Sequence, residues 1–314
     1  MTSTPGHPSD RRAAARRRAV LVVLGFALRL CLPAPAGVIH EVHSPYHHIL
    51  VVDEDGIRTL SFDGTQETRM SLKDPLLGHF GYTELFHFAW LWNTNISRVA
   101  MLGLGGGSTQ RSFLHRYPDV RVDSVEIDPA VVRIATNFFH VPVHERHRVV
   151  VEDGRNFLRR SREKYDLIVM DAYVKHRYGS HMPPHLATRE FFEIVRERLT
   201  EQGVVAYNVI TVVRLGNSDA TRALARTLLQ VFPQVYAFPA ADSLNTVLIA
   251  TRDRVRLTPP ELRRRAAQVR ALGRQPPPGL FERLPSIRTD LPAGVHQARI
   301  LTDDYAPVEA LERR

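Results

Sequence analysis

At 314 residues, 44% of them hydrophobic and with no apolar run of about 18 residues or more, the chain has the length and composition of one large globular domain or two smaller ones. Cys31 is the single cysteine, which excludes an intramolecular disulfide and a paired-cysteine zinc site. The formal charge of +9 is uneven: residues 1–36 hold six Arg against one Asp and carry +5, and the remaining +4 is too little, and too poorly interleaved with aromatic residues, to point to a nucleic-acid partner.

Residues 1–36 read as a signal-like or disordered basic leader. The arginines precede a ten-residue apolar run, Ala19 to Leu28, which Arg29 interrupts; small residues follow at Ala34 and Ala36. That run is too short to span a bilayer comfortably, so a secretory signal and an unstructured leader both fit. Next, an N-terminal β-hairpin domain is expected over 37–75. The β-rich runs Ile49 to Val52 and Ile57 to Phe62 flank Asp53-Glu54-Asp55-Gly56, a hairpin signal. "LLGHFGYTELFHFAWLW" then spaces its apolar residues for a helix.

From 76 to 253 strands and helices alternate. Strands are expected at Val99 to Leu102, Val120 to Val125, Arg148 to Val151, Leu167 to Met170 and Val204 to Asn208. Helices are expected after Gly107 and from Pro129, Arg155 and Thr188. This order argues an α/β, Rossmann-like fold: a central, mostly parallel sheet with helices on both faces. Val235 to Phe238 and Val247 to Ala250 are placed to close it as an antiparallel pair. Residues 254–314 supply a basic helix, with Thr258 as N-cap and Pro259 at its first position, then a Pro-rich linker and a tail.

Chemistry concentrates at three strand ends. Gly103, Gly105, Gly106 and Gly107 follow the first strand of the alternating unit, where a glycine turn serves dinucleotides, nucleoside sulfonium compounds and tight packing alike. Glu126, 23 residues after Gly103, is placed to accept hydrogen bonds from a ribose diol. Asp153 and Gly154 follow the third strand, where an acid can hold an adenine amino group and a glycine lets the backbone come close. Together they describe an adenosyl pocket with no provision for a pyrophosphate.

"MLGLGGGSTQ", "VEIDPAVV", "VEDGRNFL", "YDLIVMDAY" and "TREFFEIVRERLTEQGVVAYN", with "LSFDGTQE" and "GYTEL" ahead of them and "LTDDYAPVE" after them, resemble the spermidine synthase family of polyamine aminopropyltransferases, in its bacterial spermidine-synthase-like branch. The resemblance covers roughly residues 40–250 and the tail. It implies a transferase of polyamine biosynthesis, with an N-terminal β-domain and a Rossmann-like methyltransferase fold. It also implies a small-molecule amine acceptor, a homodimer, and no permanently bound cofactor. The donor substrate is decarboxylated S-adenosylmethionine or S-adenosylmethionine.

By the same resemblance Asp171 is the base that takes the amine's proton, and Tyr82 helps hold the amine. His47 stands where the family has a glutamine near the nucleoside. Two positions depart from the pattern: Gly106 replaces an aspartate that grips the aminopropyl ammonium, and Val174 replaces a second acid that holds the diamine. Lys175, His176 and Arg177 add positive charge to that loop. These departures raise the expectations that Gly106 admits intact S-adenosylmethionine, that the acceptor is neutral or acidic as in a methyltransferase, or that the chain binds a nucleoside without turnover. His176, His181 and His185 are read as part of a gating loop and no metal is expected, because Pro183 and Pro184 break the register between them. Since the donor is made inside the cell, the catalytic domain is expected in the cytoplasm, held at the membrane by the leader or free of it, with export left open by the signal-like segment.

Overall fold

The computed structural model describes residues 37–176, 179–210, 218–286 and 289–312. The basic leader and Arg177 lie outside the described residues, as do the side chains of Lys175 and His176. No helix among the described residues is long and apolar enough to cross a membrane.

Strand β5, Arg98–Leu102, is apolar at four consecutive positions, all buried. Such a run suits a strand covered on both faces. It pairs in parallel with β6, Arg121–Glu126, on one side and β8, Tyr165–Met170, on the other. β7, His147–Val151, lies beyond β6. β11, Leu199–Ile210, lies beyond β8 and also runs parallel to it. β13, Asn245–Thr251, and β12, Gln234–Pro239, close the seven-stranded sheet as an antiparallel pair, in the order β12-β13-β11-β8-β5-β6-β7. The chain leaves β5 toward one edge and returns at β8 toward the other. A crevice therefore opens above the carboxyl ends of β5 and β8, where sheets of this kind bind ligands.

Local chemistry starts each helix. α2, Ser108–Arg116, follows Gly107, whose φ of +68° only glycine adopts readily. α3, Pro129–Phe138, has Asp128 as N-cap, its side chain accepting from the Ala130 N–H. α4, Gly154–Arg160, and α5, Arg189–Arg198, are capped in the same way by Asp153 and Thr188. α6, Asp219–Leu228, is capped by Ser218. α7, Pro259–Ala271, begins at Thr258, whose N–H the Glu261 carboxylate accepts at 2.7 Å.

Two regions differ in extent from expectation. The expected small N-terminal antiparallel β-domain is present, as a four-stranded sheet that extends the hairpin read from the sequence by two strands: β1, Gly37–His43, and β4, Thr65–Ser71, flank β2, His48–Glu54, and β3, Ile57–Phe62. β4 escapes a hydrophobic reading because "TQETRMS" is almost wholly polar. Second, the helix expected across residues 76–92 is reduced to one turn, α1, Tyr82–Leu85, and a 3-10 segment, Phe86–Leu91. All six residues of that segment are buried, so no polar face imposes a 3.6-residue period. Before it, Gly78 turns at φ +78°, which ends any continuous helix.

Ile49, Val51, Leu60 and Met70 of the small sheet pack on Ala130, Val131, Ile134 and Phe139, seating it beside the crevice. Within the crevice the tightest point is Gly103, at φ +104°, where a Cβ would collide with the Asp171 carbonyl oxygen. The Asp171 N–H donates to the Leu102 carbonyl at 2.9 Å, so neither strand end can retreat cheaply. Gly103→Ala is expected to cost about 2–5 kcal/mol of stability through backbone strain and overpacking, read by chemical denaturation. An unchanged denaturation midpoint would show that the two strand ends can part freely.

Candidate active site

The crevice holds a cavity of about 290 Å³. Five carboxylates reach its wall, Glu67, Glu126, Glu152, Asp153 and Asp171, and no Lys or Arg is among its described lining residues. A wall of that sign in a low-dielectric recess favours a cationic ligand.

Asp171 stands just past β8. Its Oδ1 accepts from Asn208 Nδ2 at 2.8 Å, and its Oδ2 accepts from the Tyr82 hydroxyl at 3.2 Å. Burial pushes its carboxyl up to about 6, while the hydrogen bonds from Asn208 and Tyr82 hold it down. Burial, then the charges of Asp171 and Glu67, push the Tyr82 phenol well above its usual range, so it remains a hydrogen-bond donor. Asn208 is itself oriented from behind: its Oδ1 accepts from Asn245 Nδ2 at 3.0 Å. The Tyr173 hydroxyl fixes the same strand end, donating to the Asn208 carbonyl at 3.0 Å and accepting from the Ile210 N–H at 2.7 Å.

At the other end, Glu126 accepts from the backbone N–H of Leu104 and of Asp128, each at 3.0 Å. Burial raises its carboxyl, and those two N–H groups work against the rise. Asp128 does more than cap α3, since its other carboxylate oxygen accepts from the Ser44 hydroxyl and anchors the loop that carries His47. His47 stacks on Phe62 at 4.4 Å and lies 3.3 Å from Asp63 through Nδ1. Asp153 divides its oxygens between the Asn156 N–H at 2.9 Å and His185 Nε2 at 2.7 Å. The His185 contact leads in holding its carboxyl below the usual value.

A brace from the tail secures that wall. Asp303 takes both terminal nitrogens of Arg155, at 2.7 and 2.6 Å, and the Thr188 hydroxyl at 2.7 Å. Arg155 also donates to the His185 carbonyl at 3.2 Å. A bidentate pair with further hydrogen bonds is the strong form of such a contact.

Every position expected at the site lines the cavity except Gly106. The Gly106 N–H donates to Thr68 Oγ1 at 2.9 Å, and a Cβ there would stand 2.6 Å from Thr68 Cγ2 and 2.9 Å from Phe139 Cδ1. Loss of a side chain at 106 thus opens no room for a donor carboxylate, contrary to expectation, because Thr68 and Phe139 fill the space. Val174 does line the cavity. His176 lies on a short hairpin of β9, Val174–His176, with β10, Gly179–His181, and His185 is engaged by Asp153. No group of three His, Cys, Asp or Glu among the described residues is placed to hold a metal.

The spermine/spermidine synthase domain model matches residues 79–241, which include the glycine turn, Glu126, Asp153, Asp171 and Asn208. A polyamine aminopropyltransferase of Vibrio vulnificus is 30% identical over 93% of this chain and 98% of its own length. The chain belongs to the spermine/spermidine synthase family. It is a transferase of that family, and its fold agrees. A probable spermidine synthase from Corynebacterium glutamicum superimposes with a TM-score of 0.66 at 18% identity, over 87% of this chain and 99% of that one. Human methyltransferase-like protein 13, in complex with SAH, superimposes with a TM-score of 0.53 at 26% identity, over 62% of this chain and 90% of that one.

Sequence reasoning missed Glu67, Asn208, Asn245 and the Arg155–Asp303 pair. Asn208 ends the quoted run "GVVAYN", and a polar residue closing an apolar strand of a parallel sheet is the signal that could have found it. Asn208→Ala removes a donor that stabilises the Asp171 carboxylate, so Asp171 should protonate at higher pH. The acid limb of kcat/KM, expected near 6 in the parent, should move upward in the variant, as read from a pH profile. An unmoved limb would separate Asp171 from the titration.

Proposed function

We propose that the chain transfers the aminopropyl group of decarboxylated S-adenosylmethionine to an amine. The observation that carries this reading is the partly buried Asp171 carboxylate, held by Tyr82 and Asn208 in a cavity lined by five acids and by no described Lys or Arg. Glu126 binds the ribose diol and Asp153 the adenine amino group, beside Gly103, Gly105 and Gly154. His47, stacked on Phe62, forms the outer wall of that nucleoside end.

An acceptor ammonium has a pKa of about 10.4 and must lose a proton before it can attack. Asp171 draws the cation in and takes that proton. The freed nitrogen lone pair then forms a bond to the methylene carbon next to the sulfonium. The C–S bond breaks, its electron pair goes to sulfur, and 5′-methylthioadenosine leaves as a neutral thioether. Tyr82, which stays protonated, orients the Asp171 carboxylate throughout.

The likeness to methyltransferase-like protein 13 favours a second reading, methyl transfer from intact S-adenosylmethionine. Incubation with each donor and a panel of amines, followed by mass spectrometry, separates the two. Aminopropyl mass on an amine is expected; methyl mass alone would overturn the first reading.

The proposed roles also make opposite demands on two acids. Glu126→Gln should weaken donor binding by about 1–3 kcal/mol, because it contacts the ribose in ground and transition states alike. Asp171→Asn should leave donor affinity nearly intact and lower turnover by about 100-fold or more. Calorimetry with donor and a turnover assay check both. Loss of donor binding in Asp171→Asn would move that residue from base to structural support.

A further inference from the structure

The acid that the family resemblance expects in the glycine turn is absent at Gly106, yet the neighbouring element brings a carboxylate to the same corner. Thr68 of β4 is fastened to the turn through the Gly106 N–H, and the residue before it is Glu67. Glu67 is half-buried and lines the cavity. Its charge reaches the Tyr82 hydroxyl, whose other acidic neighbour is Asp171. Glu67 thus shares the cavity wall with Tyr82 and Asp171 and directly precedes the strand residue that is fastened to the glycine turn.

We propose that Glu67 binds the ammonium at the end of the donor's aminopropyl group and so selects the decarboxylated sulfonium over its carboxylated parent. This rests on the transferase reading above and deepens it. The decarboxylated donor carries two positive charges, sulfonium and ammonium, and no anion. Intact S-adenosylmethionine bears a carboxylate on the carbon next to its ammonium. An ammonium seated on Glu67 brings that carboxylate against the same acid, in a cavity with four further carboxylates in its described wall. Like charges in a low-dielectric recess repel strongly, so one side chain both holds the right donor and rejects the wrong one. With Glu67 engaged by the donor, Asp171 is left to the acceptor's proton.

Calorimetric titration of the full chain with decarboxylated S-adenosylmethionine, S-adenosylmethionine and 5′-methylthioadenosine tests this in the parent, Glu67→Gln and Glu67→Asp. The Gln variant keeps size and hydrogen bonding but loses the charge. It should bind the decarboxylated donor roughly 10- to 100-fold more weakly, the scale of a charge-assisted hydrogen bond. Its affinity for 5′-methylthioadenosine, which has no ammonium, should not change, and its preference for the decarboxylated donor over the intact one should narrow. Glu67→Asp should retain part of the parent's preference. Equal donor affinities in parent and Gln variant would overturn the assignment, and so would a loss shared equally by 5′-methylthioadenosine, which would mark Glu67 as structural. A parent that binds the decarboxylated donor with the predicted dependence on Glu67 but yields no aminopropyl product would leave this proposal supported and overturn the transfer reading instead. A parent that does not bind 5′-methylthioadenosine at all overturns both.

Discussion

Where β5 and β8 end, their backbones meet with no room for a side chain: Gly103 faces the Asp171 carbonyl, and the Asp171 N–H returns to the Leu102 carbonyl. This contact decides how far Asp171 stands from the glycine turn. Because β5 and β8 lie side by side in a parallel sheet, Asp171 emerges at the same level as the turn, and Asn208 of β11 reaches it from the next strand over. The left-handed backbone at Gly103 is therefore a packing requirement as much as a ligand requirement. Of the three uses a glycine turn can have, this residue serves close approach of protein to protein, and Gly105 lies on the cavity wall itself.

Charge gives the cavity its chemical character. Five carboxylates around one recess oppose folding unless something offsets their repulsion and desolvation. Backbone N–H groups serve Glu126, the Asn156 N–H and His185 serve Asp153, and Asn208 with Tyr82 serve Asp171. Arg160 pairs with Glu152 from outside the described lining, which itself contributes no Lys or Arg, so the wall facing the recess is acidic and suits a cation. The wall is assembled from both units of the chain: Glu67 and Thr68 come from the small sheet, the rest from the large one. The seating of Ile49, Val51, Leu60 and Met70 against α3 and Phe139 thus belongs to the site as much as to the core.

Legibility in the sequence followed the range of the interactions. The alternating strands and helices of residues 99–208, the closing antiparallel pair, and the cap at Thr258 are local patterns of hydrophobicity and turn chemistry, and they are found where periodicity puts them. Glu126, Asp153 and Asp171 are legible because a parallel sheet presents its ligand-facing residues at strand ends. β4 is not, since a polar strand in a small sheet has no apolar alternation to announce it, and Glu67 is hidden with it. Nor is the partnership of Asn208 with Asn245, which depends on the antiparallel register that sets Ile210 opposite Asn245. The space beside Gly106 shows a further limit. A missing side chain reads as a vacancy in one dimension, but Thr68 and Phe139 occupy it in three.

The brace between Arg155 and Asp303 joins residues 148 positions apart, and the Met182 N–H is held from still farther along, by Glu312. During synthesis the glycine turn, Glu126, Asp153 and Asp171 all leave the ribosome well before either partner from the tail exists. The nascent chain can pair its parallel strands early, while the turn bearing His185 lacks its anchor until the tail follows. The order of translation thus makes the wall that carries Asp153 and His185 the part of the cavity whose anchor is synthesised last.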